Sequence, residues 1–118
     1  MISNLVMQDT INGIKNITHS NLTIVDLDGK AVASTAEDVV INKSDIVSFA
    51  ESQADTQEIR ENMYFKVYDD HQVEYVVIAT GGDDTAMIGK MAAFQIQNLL
   101  VAYKEHFDKD NFIKNLLL

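Results

Sequence analysis

The chain has 118 residues, of which 47% are hydrophobic, and a formal net charge of −9. This length accommodates one domain with a substantial core, and the hydrophobic fraction excludes a disordered chain. Because the acidic surface repels phosphate backbones and the nine basic residues form no stripe, we expect no direct contact of this domain with nucleic acid.

Cysteine is absent from the sequence, which excludes disulfides, thiolate nucleophiles and cysteine-ligated metals. No segment approaches the roughly 18 consecutive apolar residues of a membrane span. The start of the chain has neither the basic stretch nor the apolar run of a secretory signal. We therefore expect a cytoplasmic protein that does not enter a membrane.

The first third of the sequence predicts a helix followed by a β-hairpin. Apolar residues recur at spacings of three and four over residues 2–18, which is the period of an amphipathic helix. Gly13 weakens this helix by about 1 kcal/mol relative to Ala, so packing must support it. Leu22–Asp26 and Lys30–Ser34 have the character of strands, and the Asp28-Gly29 pair between them is a strong signal for a tight turn.

A short helix and a second hairpin follow. Asn42 or Ser44 is positioned to cap a short helix, and Gln57–Arg60 predicts a short strand. Alternating apolar residues then predict strands over Met63–Tyr68 and Val73–Thr80, joined by a polar turn. The second of these strands has apolar side chains on both faces, which predicts a central strand covered on both sides.

The last predicted element is a long helix from about Thr85 to the end of the chain. No proline interrupts it, and at 1.5 Å per residue it would extend about 50 Å. Its apolar residues occupy two faces, one with Ile88, Ala92, Leu99 and Tyr103 and the other with Met91, Phe94 and Val101. Because one sheet cannot cover both faces, we expect a helix of a second subunit to cover the other, and therefore a homodimer.

Helix, hairpin, short helix, hairpin and long helix, in this order, predict a PAS-like α+β fold. It would have an antiparallel sheet, an N-terminal helix, a short covering helix and a long C-terminal signalling helix. We expect one domain over residues 1–118, with the N-terminal helix in 1–19, the sheet core in 20–83 and the C-terminal helix in 84–118. The apolar run 112–118 is a poor exposed terminus, which predicts that a downstream module follows in the native polypeptide.

One acidic motif resembles an enzyme signature. Asp26-Leu27-Asp28-Gly29 resembles the first motif of haloacid-dehalogenase-type phosphatases, in which one Asp attacks phosphorus beside magnesium. Those enzymes carry Thr where Lys30 stands, and the interval from Asp26 to Asp84 is too short for the parallel crossover units of their fold. We therefore expect a hairpin turn here and no catalytic centre.

A second motif, Gly81-Gly82-Asp83-Asp84, resembles the signature of diguanylate cyclases. Those enzymes need it on a hairpin, whereas here a helix follows directly. Asp83 or Asp84 is better explained as the N-cap of that helix. Free backbone N–H groups beside the glycines would suit an anion, although the two carboxylates would compete with it.

The remaining polar residues also predict surface roles. Asp69-Asp70-His71 is typical of a solvated hairpin tip, because contiguous turn residues rarely converge on a metal. His19, His71 and His106 have no convincing nucleophile partner. We expect neither enzymatic activity nor a metal site or cofactor.

One cluster does suit a ligand. Arg60, Asn62, Tyr64 and Lys66 lie near a strand that borders the expected cavity, and a guanidinium has the fork that fits a carboxylate. Backbone N–H groups near Thr80-Gly81 would donate further hydrogen bonds to such a carboxylate. The alternative is that Arg60 and Lys66 only solvate an edge strand.

Three stretches resemble a known family: Asn21–Asp26 with Ala33-Ser34, Tyr75–Gly81, and Asp110–Leu118. They are similar to the N-terminal part of bacterial carbohydrate (sugar) diacid regulators and purine-catabolism-type activators. The resemblance implies a sensor domain that precedes a middle module and a C-terminal helix-turn-helix in a transcriptional regulator. The last stretch resembles the linker helix of that family.

Two functions follow as expectations. The first is a ligand-sensing domain that binds a small organic acid, such as a sugar diacid, between the sheet and its helical cover. It would relay binding through a helical dimer interface. The second is a ligand-free PAS-like module that only dimerises the regulator. A filled apolar cavity would favour the second function, and an open cavity with convergent polar groups the first.

Overall fold

The computed structural model describes residues 3–37, 39–81 and 84–117, with the backbone alone for 105–117. Within them lie three helices, α1 (Asn4–Thr18), α2 (Lys43–Glu51) and α3 (Thr85–Leu117). Five strands complete the fold, β1 (Asn21–Asp26), β2 (Ala31–Ser34), β3 (Thr56–Ile59), β4 (Asn62–Asp69) and β5 (Gln72–Thr80). The predicted order of elements is confirmed.

The five strands form one antiparallel sheet in the order β2-β1-β5-β4-β3. The sheet carries α2 on one face and α1 with α3 on the other, so β5 is central and covered on both sides, as its sequence predicts. This is the expected PAS-like α+β architecture. None of the helices within the described part of the chain is long and apolar enough to cross a membrane.

The larger core lies between the sheet and the two terminal helices. Met7 and Ile11 of α1 and Ile96 of α3 are fully buried there, against Val77 and other residues of the strands. The helix α3 lies close to the sheet at Gly89, where an added Cβ would lie 2.1 Å from the Phe65 ring. The long helix therefore depends on a residue without a side chain to reach the sheet.

The smaller core lies between the sheet and α2. Ile46 and Phe49 of α2 pack on the residues of β4 and β5 whose side chains point to this face of the sheet. They include Tyr64, Val76 and Ile78. The Asn42 side chain caps α2 by accepting hydrogen bonds from the N–H groups of Ser44 and Asp45. Of the two caps that the sequence predicts, Asn42 and Ser44, the structure therefore has Asn42.

Two-residue loops join β3 to β4 and β4 to β5. Arg60 and Glu61 have φ of 51° and 70°, and Asp70 and His71 have φ of 50° and 66°. Positive φ at both central residues is typical of hairpin turns whose twist matches that of the strands. The prediction of a strand over Gln57–Arg60 is therefore wrong at its end, because the chain already turns at Arg60.

The start of α3 lies partly outside the described residues. Asp84 precedes the helix, and its carbonyl accepts a hydrogen bond from the Ile88 N–H at 2.9 Å. Asp83, the other predicted N-cap, lies outside the described residues. Beyond the sheet, α3 continues with exposed side chains at positions 101–104, and the molecule measures 54 × 31 × 22 Å.

Candidate ligand-binding cavity

The sheet face that carries α2 has an apolar half and a polar half. Thr23 lies opposite Ile78, and Ile78 lies opposite Tyr64. Two residues further along the strands, on the same face, Thr80 lies opposite Asn21. The helix covers the apolar half, and the polar half lies under the connection between β2 and α2.

A cavity of about 290 Å³ lies over the polar half. Its walls are Thr23, Asn62, Ile78 and Thr80 from the strands and Ala36, Val39 and Val40 from the connection. Sites for small molecules usually measure about 300–1,000 Å³ and combine apolar walls with a few polar groups. This cavity has that mixture, and its volume lies just below that range.

The polar groups of the cavity differ in their existing partners. The Thr23 hydroxyl lies 3.0 Å from the Ser34 hydroxyl, which donates to the Ala36 carbonyl at 2.9 Å. The side chains of Asn62 and Thr80 make no hydrogen bond to any other residue within the described ranges. Because a hydroxyl and an amide each offer both a donor and an acceptor, Asn62 and Thr80 are available to a ligand.

Arg60 lies outside this cavity and faces α2. Its Nε donates to Asp45 Oδ2 at 2.7 Å, and its side chain is 69% exposed. The hydrogen bond and the charge of Asp45 raise the pKa of Arg60, so the guanidinium stays protonated. The guanidinium therefore connects the β3–β4 turn to the first turn of α2.

Lys66 and Tyr64 belong to the packing under α2. The Lys66 ammonium donates to the Ser52 carbonyl after the end of the helix and lies 5.3 Å from the centre of the Phe49 ring. Tyr64 meets the same ring edge to face, with centroids 5.8 Å apart. Burial raises the pKa of Tyr64, so its hydroxyl stays protonated at neutral pH.

Five of the six predicted site residues therefore divide into two groups. The structure brings Asn62 and Thr80 together in one wall, and it places Arg60, Tyr64 and Lys66 at the α2 interface. The sixth, Gly81, has φ of 75°, and its carbonyl accepts from the Ser20 hydroxyl at 2.9 Å.

Thr23 and the connecting residues of the wall are not among the residues that the sequence predicts for a site. Thr23 lies within the apolar run of β1, where a β-branched residue is the normal choice for a strand. The only local signal is a hydroxyl within an apolar run, and it does not distinguish a cavity wall from ordinary strand packing. Ala36, Val39 and Val40 carry no chemistry of their own, so only the fold relates them to the strands.

The acidic motif of the first hairpin forms a turn. Asp26 Oδ1 accepts hydrogen bonds from the N–H groups of Asp28 at 3.0 Å and Lys30 at 2.9 Å. Gly29 has φ of 83°. Within the described residues, no group of three His, Cys, Asp or Glu side chains is placed to hold a metal ion.

We expect Asp26→Ala to lower the free energy of unfolding by about 1 kcal/mol, because it removes the acceptor for two turn N–H groups. Asp26→Asn keeps an acceptor oxygen and should lower it less, and Asp28→Ala should lower it least. Urea unfolding measures all three variants. Calorimetry should detect no tight binding of Mg²⁺ to the unmodified chain, and micromolar binding that Asp26→Asn abolishes would contradict the turn assignment.

A larger opening of about 550 Å³ separates the β4–β5 turn from α3. Its acidic groups already have partners, because the Tyr68 hydroxyl donates to Asp55 at 2.7 Å and Lys104 pairs with Asp70. Gln97 of α3 accepts from the Tyr68 N–H at 3.1 Å. These contacts attach α3 to the hairpin, so we assign this opening a structural role.

A scan of the sequence against protein-family models gave no match, and a comparison with curated proteins gave none either. The cavity and the exposed surface of α3 are therefore the two features from which we infer a function.

Proposed function

We propose that this chain is the ligand-sensing domain of a bacterial transcriptional regulator and acts in the cytoplasm without catalysing a reaction. The observation that carries the proposal is the cavity over the polar half of the sheet, in which the side chains of Asn62 and Thr80 have no hydrogen-bond partner among the described residues. Convergent free polar groups in an open cavity favour ligand binding over a purely structural module. DNA binding would belong to a downstream module.

The sheet offers a short route from this cavity to α3. β5 carries Thr80 in the cavity wall and Val77 and Ala79 in the core under α3. On β4, Asn62 lies in the wall and Phe65 lies against Gly89. A ligand that binds one arrangement of these strands more tightly would shift the balance between two positions of α3.

Sensing is tested with a metabolite library and a variant that fills the cavity. We expect at least one compound to raise the melting temperature of the unmodified chain, because a ligand at 100 times its Kd stabilises by about 2.7 kcal/mol. Ala36→Leu should abolish that shift, since the added side chain occupies the cavity. The same substitution at the exposed Ala54, Ala54→Leu, should preserve it.

The sensing role would be contradicted by two results together. One is a library in which no compound shifts the melting temperature, and the other is a native mass spectrum of the purified protein that shows only the mass of the bare chain.

A second function, dimerisation, is favoured by the surface of α3. Met87, Met91, Phe94 and Val101 are 58%, 58%, 65% and 48% exposed. Together with the exposed Asn98, they follow the alternating four- and three-residue spacing of a coiled-coil seam. We call these five side chains the α3 stripe, and we propose that the α3 stripe of a second copy of this chain packs against it.

Asn98 supports a second copy as the partner. In the heptad pattern it shares the a position with Met91, whereas Met87, Phe94 and Val101 occupy d. A single polar Asn at an a position pairs with its equivalent and specifies register and oligomeric state. The groove beside the stripe, of about 380 Å³ between α1 and α3, extends the apolar surface to Ile14 and Ile17.

A further inference from the structure

We propose that the cavity takes a small uncharged polyhydroxylated compound, a polyol or sugar, and not an organic acid. This inference rests on the sensing role proposed above and names the chemical class of the ligand. Two observations support an uncharged ligand. The nearby basic side chains are already bound to other groups, and the side chains of the cavity wall are neutral.

A carboxylate in this cavity would lack a cation. Removing an ionised group from water costs several kcal/mol, which an opposite charge or several well-placed hydrogen-bond donors must offset. Within the described residues, the wall contains hydroxyl, amide and aliphatic side chains and no charged one. The positions outside the described residues that are nearest in sequence, Asp38, Gly82 and Asp83, add no basic side chain.

The two basic residues of β4 and its turn already serve α2. The Arg60 guanidinium is hydrogen-bonded to Asp45, and the Lys66 ammonium is bound to the Ser52 carbonyl above the Phe49 ring. Moving either to the cavity would break those contacts, and for Lys66 it would also disturb the smaller core. At long range, the net charge of −9 disfavours an anion.

The wall suits hydroxyl groups. The Thr80 hydroxyl and the Asn62 amide each present a donor and an acceptor, and a ligand hydroxyl likewise donates and accepts. Ile78, Ala36 and Val39 offer aliphatic surface to the C–H groups of a carbon chain. At about 290 Å³, the cavity has room for a small molecule of about six carbons.

Probes with one carbon skeleton but different charge test this inference. Galactitol and sorbitol are uncharged, whereas galactarate and glucarate carry carboxylates at both ends of the same six-carbon chains. We expect calorimetry and ¹H–¹⁵N spectra of the full 118-residue chain to detect at least one polyol, with resonance shifts at Thr80 and Asn62. The matching diacid should bind at least tenfold more weakly.

Variants of the wall locate the binding. Thr80→Val keeps the shape of the side chain and removes the hydroxyl, so it should weaken polyol binding at least tenfold. Asn62→Ala should do the same and serves as the second variant should Thr80→Val fail to fold. Thr56→Val, at an exposed position of β3, is the matched control and should leave the Kd unchanged.

The outcomes separate the ligand class from the sensing role. Binding of a diacid without its polyol would overturn the uncharged class, while sensing would stand. If neither polyol binds, the uncharged ligand class is also overturned. The metabolite library and the native mass spectrum described above then test the sensing role independently. Polyol binding that both wall variants leave unchanged would show that the site lies elsewhere.

Discussion

Gly89→Ala is expected to lower the free energy of unfolding by about 1–3 kcal/mol, although alanine is the better helix former. The new methyl group would lie 2.1 Å from the nearest atom of the Phe65 ring, which is itself 3% exposed and packed in the larger core. Overpacking of this kind forces side chains and backbone apart. The gain of about 1 kcal/mol in helix propensity does not offset it.

Gly13→Ala is the matched control and should change stability in the opposite direction. No atom lies within 4 Å of a Cβ added at Gly13, so the substitution should raise the free energy of unfolding by about 1 kcal/mol. Chemical denaturation of both variants measures the difference. The double variant Gly89→Ala/Phe65→Leu should recover part of the lost stability, because the ring is removed. A stabilising Gly89→Ala would contradict the close contact between α3 and the sheet.

Phe94→Glu is expected to leave a folded monomer, and Ile96→Glu to leave no folded domain. Phe94 is 65% exposed in the stripe assigned to the second copy, whereas Ile96 is fully buried in the larger core. A charge at the dimer seam remains hydrated once the subunits separate. A charge in the core stays unpaired, at a cost that approaches the whole stability of a small domain.

Sedimentation equilibrium and circular dichroism measure these two results. At micromolar concentration, the unmodified chain should sediment at twice its mass of 13.2 kDa. Val101→Glu should behave like Phe94→Glu, and Leu99→Glu should unfold the chain, because Leu99 packs against the larger core. Lys30→Glu, at an exposed position of the β1–β2 turn, serves as the control for charge. An unmodified chain that sediments as a monomer would contradict the dimer.

Much of the fold could be predicted because its signals are local. The Asp28-Gly29 turn, the Asn42 cap and the alternation of β4 and β5 each depend on a few neighbouring residues, and the structure confirms all three. The Arg60-Glu61 turn is not predictable from these residues, because neither residue type usually adopts positive φ. That conformation follows from the pairing of β3 with β4, which is a contact between strands and not a local preference.

The sequence by itself determined the order of the elements, the central position of β5 and the two apolar faces of α3. These properties follow from hydrophobic period and turn chemistry, which act over a few residues. Only the tertiary structure decided which polar groups share a cavity. Asn62 and Arg60 are two positions apart, yet Asn62 lines the cavity while Arg60 turns to Asp45 of α2. The partner of a long side chain depends on which distant element packs beside it, and neighbouring residues in the sequence do not predict that packing.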